Sequence, residues 1–322
     1  MSASGLILIW QSDMAIDYVV PMVFPEDLTW RHDYITANGC LQDDKTALCN
    51  VRYRTWHTEH LLVKCIQRFL PWVRDIIILL ARPSQVQEWM KTPQPPLGGA
   101  KVRLVFHRDF MPADKLPTFN SRSIEMYLHR IPGLSDYFLY GNDDMFPLAH
   151  LVEEDFFQDG LPCFRTTMKS YNPDSSFHKA CLNGMNFVAR EFGKQFSTGW
   201  IHTGHCTVPM LRKTCEMFWR QWPKEMENSV TTFRSVQNLN QYIYSWWHIL
   251  SGQYIQHAPK RDYVSTNNTI DEVREAIRSA QGILCINDNE AVDDIRPYAE
   301  AVRSEIEAKV SEYGQVSSYL CK

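Results

Sequence analysis

Five consecutive aliphatic residues, Ile76-Ile77-Ile78-Leu79-Leu80, most narrow the folds open to this 322-residue chain. A run with no polar residue at a period of two reads as a strand covered on both faces, the situation of a central strand in a parallel sheet. Other largely apolar stretches recur at Ile16–Val23, Val102–Phe106 and Tyr137–Tyr140. Helical spacing fills the intervals. Leu61, Leu62, Cys65, Ile66 and Phe69 mark one face of Glu59–Phe69, and Ser121–Arg130 reads as a helix with Asn120 as its cap. Alternating strands and helices predict an α/β fold with a Rossmann-like, mostly parallel sheet flanked by helices. Residues 1–160 would form that core, and residues 161–322 a helical portion of the same domain closing over the sheet's C-terminal edge.

The second half carries the helical signals. Leu239, Tyr242, Ile243, Trp246, Trp247 and Leu250 form one broad apolar face, which reads as core. Thr269-Ile270-Asp271-Glu272 is a capping box, and Ile295, Tyr298, Val302, Ile306 and Val310 recur at helical spacing. The Pro93-Gln94-Pro95-Pro96 break separates two units of the first half.

Charge excludes one class of partner. Thirty-three basic and 37 acidic residues are mixed along the chain for a formal net charge of −4, with no basic stripe for nucleic acid. The apolar run Gly5–Trp10 is too short for a signal peptide or a membrane span. Nine dispersed cysteines without a Cys-x-x-Cys pair read as reduced core residues of a cytosolic protein.

Chemistry concentrates at Asn142-Asp143-Asp144, directly after the Tyr137–Tyr140 run. Adjacent carboxylates at the end of a buried strand repel, and oxygen ligands of this kind suit Mg²⁺ or Mn²⁺. A solvated turn is the bland alternative. His202 and His205 flank Thr203-Gly204, with Cys206 adjacent, and read either as satisfied core histidines or as part of a zinc site.

Longer blocks surround these residues. Leu116–Ser121, Ile124-Glu125 and Leu128–Leu134 lead into Asn142–Phe146. Ile16-Asp17-Tyr18-Val19-Val20-Pro21 is followed by Asp27 and Trp30, Arg54 stands before the second block, and His202–His205, Arg234 and Cys285-Ile286-Asn287-Asp288-Asn289 follow in order. Together they resemble the four blocks of the Stealth family. Its members are hexose-1-phosphate transferases, among them bacterial capsule polymerases and the N-acetylglucosamine-1-phosphotransferase that begins the mannose-6-phosphate tag on lysosomal enzymes. The chain departs from the family pattern at Phe24-Pro25, at His60 and Lys64, where arginines are usual, and at Gly204, where proline is common.

The resemblance implies transfer of a hexose 1-phosphate, an N-acetylhexosamine 1-phosphate in the first instance, from a UDP-sugar to a hydroxyl of an oligo- or polysaccharide acceptor. UMP would leave, in capsule or surface polysaccharide synthesis. It implies Mg²⁺ or Mn²⁺ held by Asp143 and Asp288, with Asn142 or Asn289 assisting. Asp144 or His205 would be the base, and Arg234 with His202 would stabilise phosphoryl charge. Asp17, Arg54, Asn120 and Ser121 would contact the donor. The expected location is cytoplasmic, with peripheral association at the inner face of the membrane left open. Two readings compete: a metal-dependent glycosyltransferase releasing UDP, and a non-catalytic member that binds nucleotide sugar or glycan.

Overall fold

The computed structural model describes residues 14–37, 53–91, 99–289 and 292–320. The Gly5–Trp10 run and the Pro93–Pro96 break lie outside them. The main sheet has five strands in the order Val208–Leu211, Tyr137–Tyr140, Ile16–Pro21, Asp75–Leu80 and Lys101–Phe106. All run parallel except Val208–Leu211, which pairs antiparallel with Tyr137–Tyr140.

The aliphatic run behaves as its composition requires. Ile76, Ile78 and Leu80 pack in one core with Tyr18, Val20 and the helix Glu59–Phe69. Ile77 and Leu79 pack in the other with Val19, Phe138, Tyr140 and Trp246. All five residues are fully buried, each contributing about 1.5–3 kcal/mol of transfer free energy.

The chain steps outward from Ile16–Pro21 through Asp75–Leu80 to Lys101–Phe106, then returns to the other side of the first strand for Tyr137–Tyr140. That reversal leaves a crevice at the strands' C-terminal ends, where open α/β sheets take their ligands. Directly past Asp144 the chain enters a second sheet, Arg261–Ser265, Ile283–Asn287 and Met145–Pro147. Asp143 and Asp144 thus sit between the two sheets.

The second half is rich in helix, as its sequence indicates, and contributes strands besides. It supplies the edge strand Val208–Leu211, two strands of the second sheet, and the antiparallel pair Thr167–Ser170 with Gly199–His202. These strands are four or five residues long, too short for periodicity to separate them from loops. The helical readings agree in position. Tyr242–Ser251 forms on the aromatic face, Ile270–Ser279 starts at the Thr269–Glu272 capping box, and Arg296–Leu320 packs on Ile270–Ser279 and Glu59–Phe69. The Ser121 helix ends at Met126 and continues as a 3₁₀ turn at Leu128–Arg130. Among the described residues, no helix is long and apolar enough to cross a membrane.

Candidate active site

Asp144 is the hub of the crevice. Its Oδ2 accepts hydrogen bonds from Cys285 Sγ at 3.3 Å and Asn287 Nδ2 at 3.2 Å, and His205 Nε2 stands 3.6 Å away. Its backbone oxygen accepts from Ile286 N at 2.9 Å, which fixes the turn against the second sheet. Cys285 and Asn287 lie two apart on one strand and therefore face the same way. Sequence reasoning had passed over both in favour of Asp288. The signal available was that spacing of two within an apolar run, which puts positions 285 and 287 on one face and 286 on the other.

The strand end reaches this place because Gly141 has no side chain. A Cβ there would collide with the hydroxyl of Tyr18, which hydrogen-bonds Thr207 Oγ1 at 3.0 Å. Two of the strands lining the crevice are thereby locked together above the core.

The two neighbouring carboxylates are driven apart electrostatically. Burial pushes Asp143 up to about 8, with further contributions from the charges of Asp144 and Glu59. Burial acts on Asp144 in the same direction. There, however, the hydrogen bond and charge of His205, with the bonds from Cys285 and Asn287, outweigh it and hold the carboxylate below its usual range. His205 is the converse case. Burial favours its neutral form, but Asp144 raises its pKa above the ordinary value. Burial lowers His202 to about 4, reinforced by Lys169 and Arg261, so that ring is neutral near pH 7.

Arg234 approaches from another element. Its Nη2 donates to Ser121 Oγ at 2.7 Å, and its charge is felt at His205. Ser121, expected to contact a donor, instead positions Arg234.

Three further expectations change on the structure. Asp17 is fully buried at the start of its strand, at the sheet edge opposite Asp143. Arg74 grips it with two bonds of 2.8 and 2.7 Å, and Ser135 N adds a third at 2.8 Å. Asp17 is a structural ion pair, not a donor contact. Asn120 is also fully buried. Its Oδ1 caps the following helix at Arg122 N, and its Nδ2 bonds Thr231, Phe233 and Asn238, leaving nothing for a ligand. Asp288 offers both oxygens to Arg54, at 2.8 and 2.6 Å, and receives Trp56 Nε1 at 3.1 Å. Asp288 and Arg54 therefore form an ion pair. Asn289 Oδ1 accepts from Tyr263 at 3.4 Å.

The residues at the strand end fit a divalent ion. Asp144 Oδ1 is buried with no hydrogen-bond partner, and the raised Asp143 marks negative charge lacking a counter-charge. Asp144, His205 and Cys285 are the one cluster of three or more His, Cys, Asp or Glu donors among the described residues. The Cys285 thiol is pushed far up by burial and by Asp144, so it stays protonated and donates to Asp144. Asp143, Asp144 Oδ1 and the nearby Asn142 leave an all-oxygen set, suited to Mg²⁺ or Mn²⁺. Cys206, the neighbour in the zinc reading, accepts instead from Arg261 Nη1 at 3.6 Å.

The loop holding both histidines is set by Arg261. Its guanidinium donates to Thr203 O and to Arg165 O, passing over Gly204 at φ +93°. Proline, common at this position in the family, could not adopt that φ.

Residues 52–164 match the model for Stealth protein CR2, conserved region 2. The receptor polysaccharide phosphotransferase WefC of Streptococcus gordonii is 29% identical, over 87% of this chain and 92% of the relative. The capsular polysaccharide phosphotransferase WcwK of Streptococcus pneumoniae is 28% identical, over 85% and 90%. The capsular polysaccharide phosphotransferase fcs1 of Haemophilus influenzae is 32% identical, over 70% and 62%. A solved galactosyltransferase, LgtC, in complex with donor and acceptor sugar analogues, is 11% identical, covering 91% of this chain and 95% of that one with a TM-score of 0.42. The chain thus carries the conserved region 2 of Stealth proteins around its acidic turn and is homologous to polysaccharide phosphotransferases along most of its length.

Proposed function

We propose that this protein transfers a sugar 1-phosphate from a nucleotide sugar to a hydroxyl of a glycan acceptor, forming a phosphodiester in surface polysaccharide synthesis. A UDP-N-acetylhexosamine is the first donor to test, and the reaction would take place at the cytoplasmic side of the membrane. One observation carries the reading. Asp144 follows the central sheet, yet its carboxylate is engaged by His205, Cys285 and Asn287 from two other family blocks.

The geometry supports one division of labour. Asp143 and Asp144 Oδ1, with Asn142, would hold Mg²⁺ or Mn²⁺, which when bound masks pyrophosphate charge. His205 is the base: Asp144 orients its Nε2 side and favours the imidazolium formed when Nδ1 takes the acceptor proton. Arg234, held by Ser121, supplies fixed positive charge for the phosphoryl oxygens. His202, neutral near pH 7, would offer an N–H to the same oxygens.

The test is a panel of UDP-hexoses and UDP-N-acetylhexosamines with Mg²⁺ or Mn²⁺ and a glycan acceptor, the released nucleotide being identified by mass. Nucleoside monophosphate supports phosphosugar transfer. Nucleoside diphosphate would replace it with glycosyl transfer.

A further inference from the structure

A cavity of about 260 Å³ opens beyond the C-terminal ends of Ile16–Pro21, Asp75–Leu80 and Lys101–Phe106, one strand across from the acidic turn. Trp30 and Phe119 give it aromatic walls, and Arg82, Asp33, Thr118 and His107 give it polar ones. One of these polar groups is buried without a partner, and a second makes no hydrogen bond within the described residues. The His107 ring is 6% exposed and makes no hydrogen bond to a described residue; its contact is with the Phe110 ring. Arg82 Nε is buried without a partner, although Nη2 of the same side chain pairs with Asp33. Buried polar groups left unpaired at a cavity wall are costly unless a ligand completes them.

The chemistry of the walls narrows the ligand. Asp33 already matches the Arg82 charge, so the cavity has no surplus positive charge for a phosphate. Burial, with help from Arg82, lowers His107 to about 4, so the ring is neutral and offers one donor and one acceptor. Aromatic walls with a neutral donor–acceptor edge fit a flat heteroaromatic ring. The walls also lead to the site. Phe119 stacks on Phe233 at 5.3 Å and accepts a bond from Tyr53 OH at 3.0 Å. Phe233 directly precedes Arg234, Tyr53 precedes Arg54, and Phe119 is two residues from Ser121.

We propose that this cavity is the nucleobase subsite of the donor, with His107 and Arg82 Nε reading the base edge while the diphosphate runs past Ser121 and Arg234 to the acidic turn. The assignment rests on the donor being a nucleotide sugar.

The experiment titrates the whole protein with UMP, CMP, GMP, AMP, uridine and N-acetylglucosamine 1-phosphate, following binding calorimetrically and the histidine ring nitrogens by NMR. The expected result is that at least one nucleotide binds and shifts His107, that its nucleoside does so too, and that the sugar phosphate does not. His107→Leu, similar in bulk but without ring nitrogens, should weaken that nucleotide about tenfold and raise donor KM alike, with kcat within about twofold. No nucleotide binding, an unmoved His107 resonance, or unchanged affinity in folded His107→Leu overturns the subsite. Should His107→Leu not fold, the wild-type ring shifts decide alone. Because binding is read without turnover, a base-dependent site in a protein that forms no phosphodiester would sink the proposed reaction and keep the subsite. Phosphodiester formation with a donor KM unchanged in His107→Leu would do the reverse.

Discussion

Arg54 and Asp288 form a two-pronged ion pair across 234 positions of sequence, Nε to Oδ2 at 2.8 Å and Nη2 to Oδ1 at 2.6 Å. Through it the segment before the Glu59–Phe69 helix is fastened to the loop after Ile283–Asn287, whose strand in turn supplies two hydrogen bonds to Asp144. Arg54→Ala leaves a carboxylate with only 10% side-chain exposure without this counter-charge. It should cost about 1–3 kcal/mol in chemical denaturation, and Arg54→Lys less. An unchanged midpoint in Arg54→Ala would remove the fastening role.

Arg234 and Ser121 give a graded prediction. Arg234→Lys keeps a charge but loses the planar fork, and kcat should fall by about a hundredfold with the thermal midpoint unchanged. Ser121→Ala loses only the 2.7 Å hydrogen bond and should fall by about tenfold. Equal rates for wild type and Arg234→Lys would leave the phosphoryl oxygens without this clamp.

His205 sets the acid limb of the pH profile. A base must be neutral to accept a proton, and Asp144 holds His205 protonated to a pH above its ordinary value near 6.5. The rate should therefore rise with pH through a midpoint above about 6.5. His205→Gln should lose the limb and at least about a hundredfold in kcat. A profile flat between about pH 6 and 8 would assign the base elsewhere.

Asp143 links the site to stability. With its folded pKa pushed up to about 8, the metal-free protein holds a proton there that the unfolded chain releases near pH 4. Stability is therefore lost progressively as pH rises from about 4 to 8, and a bound divalent cation should restore it. Metal-free Asp143→Asn should melt higher than wild type at pH 8, by about 2 °C or more, and gain little from added Mg²⁺. A wild-type melting point indifferent to Mg²⁺ at pH 8 would count against the ion.

Gly204 is a backbone test. At φ +93°, with Arg261 packed where a Cβ would go, Gly204→Ala is strained and Gly204→Pro is incompatible. Gly204→Ala should cost about 1–3 kcal/mol, and both variants should misplace His202 and His205, lowering kcat more than ten percent of wild type could survive, about tenfold or greater. Normal turnover in Gly204→Pro would show that the histidine loop does not need this shape.

Much of the sheet is legible in one dimension because burial on both faces leaves a local mark. Ile76–Leu80 can be nothing but a covered strand, Glu59–Phe69 forms where its apolar spacing places it, and Asn120 and Thr269 cap the helices they precede. The strands Val208–Leu211 and Gly199–His202 leave no such mark, since each is four residues long and takes its hydrogen bonds from a distant partner.

The site divides along the same line. Residue type and position mark the acidic pair and both histidines, because carboxylates and imidazoles carry their chemistry wherever they fold, while Arg234 and the Cys285–Asn289 block stand out only through the resemblance to the Stealth blocks. Which of them meet was decided only by tertiary structure. Asp17 and Asp288 look as available as Asp144 in the sequence, yet two are neutralised by arginines from other segments and the third is left with a buried, unpartnered oxygen. Counter-charge, burial and the direction of a side chain depend on distant segments, and no local pattern encodes them.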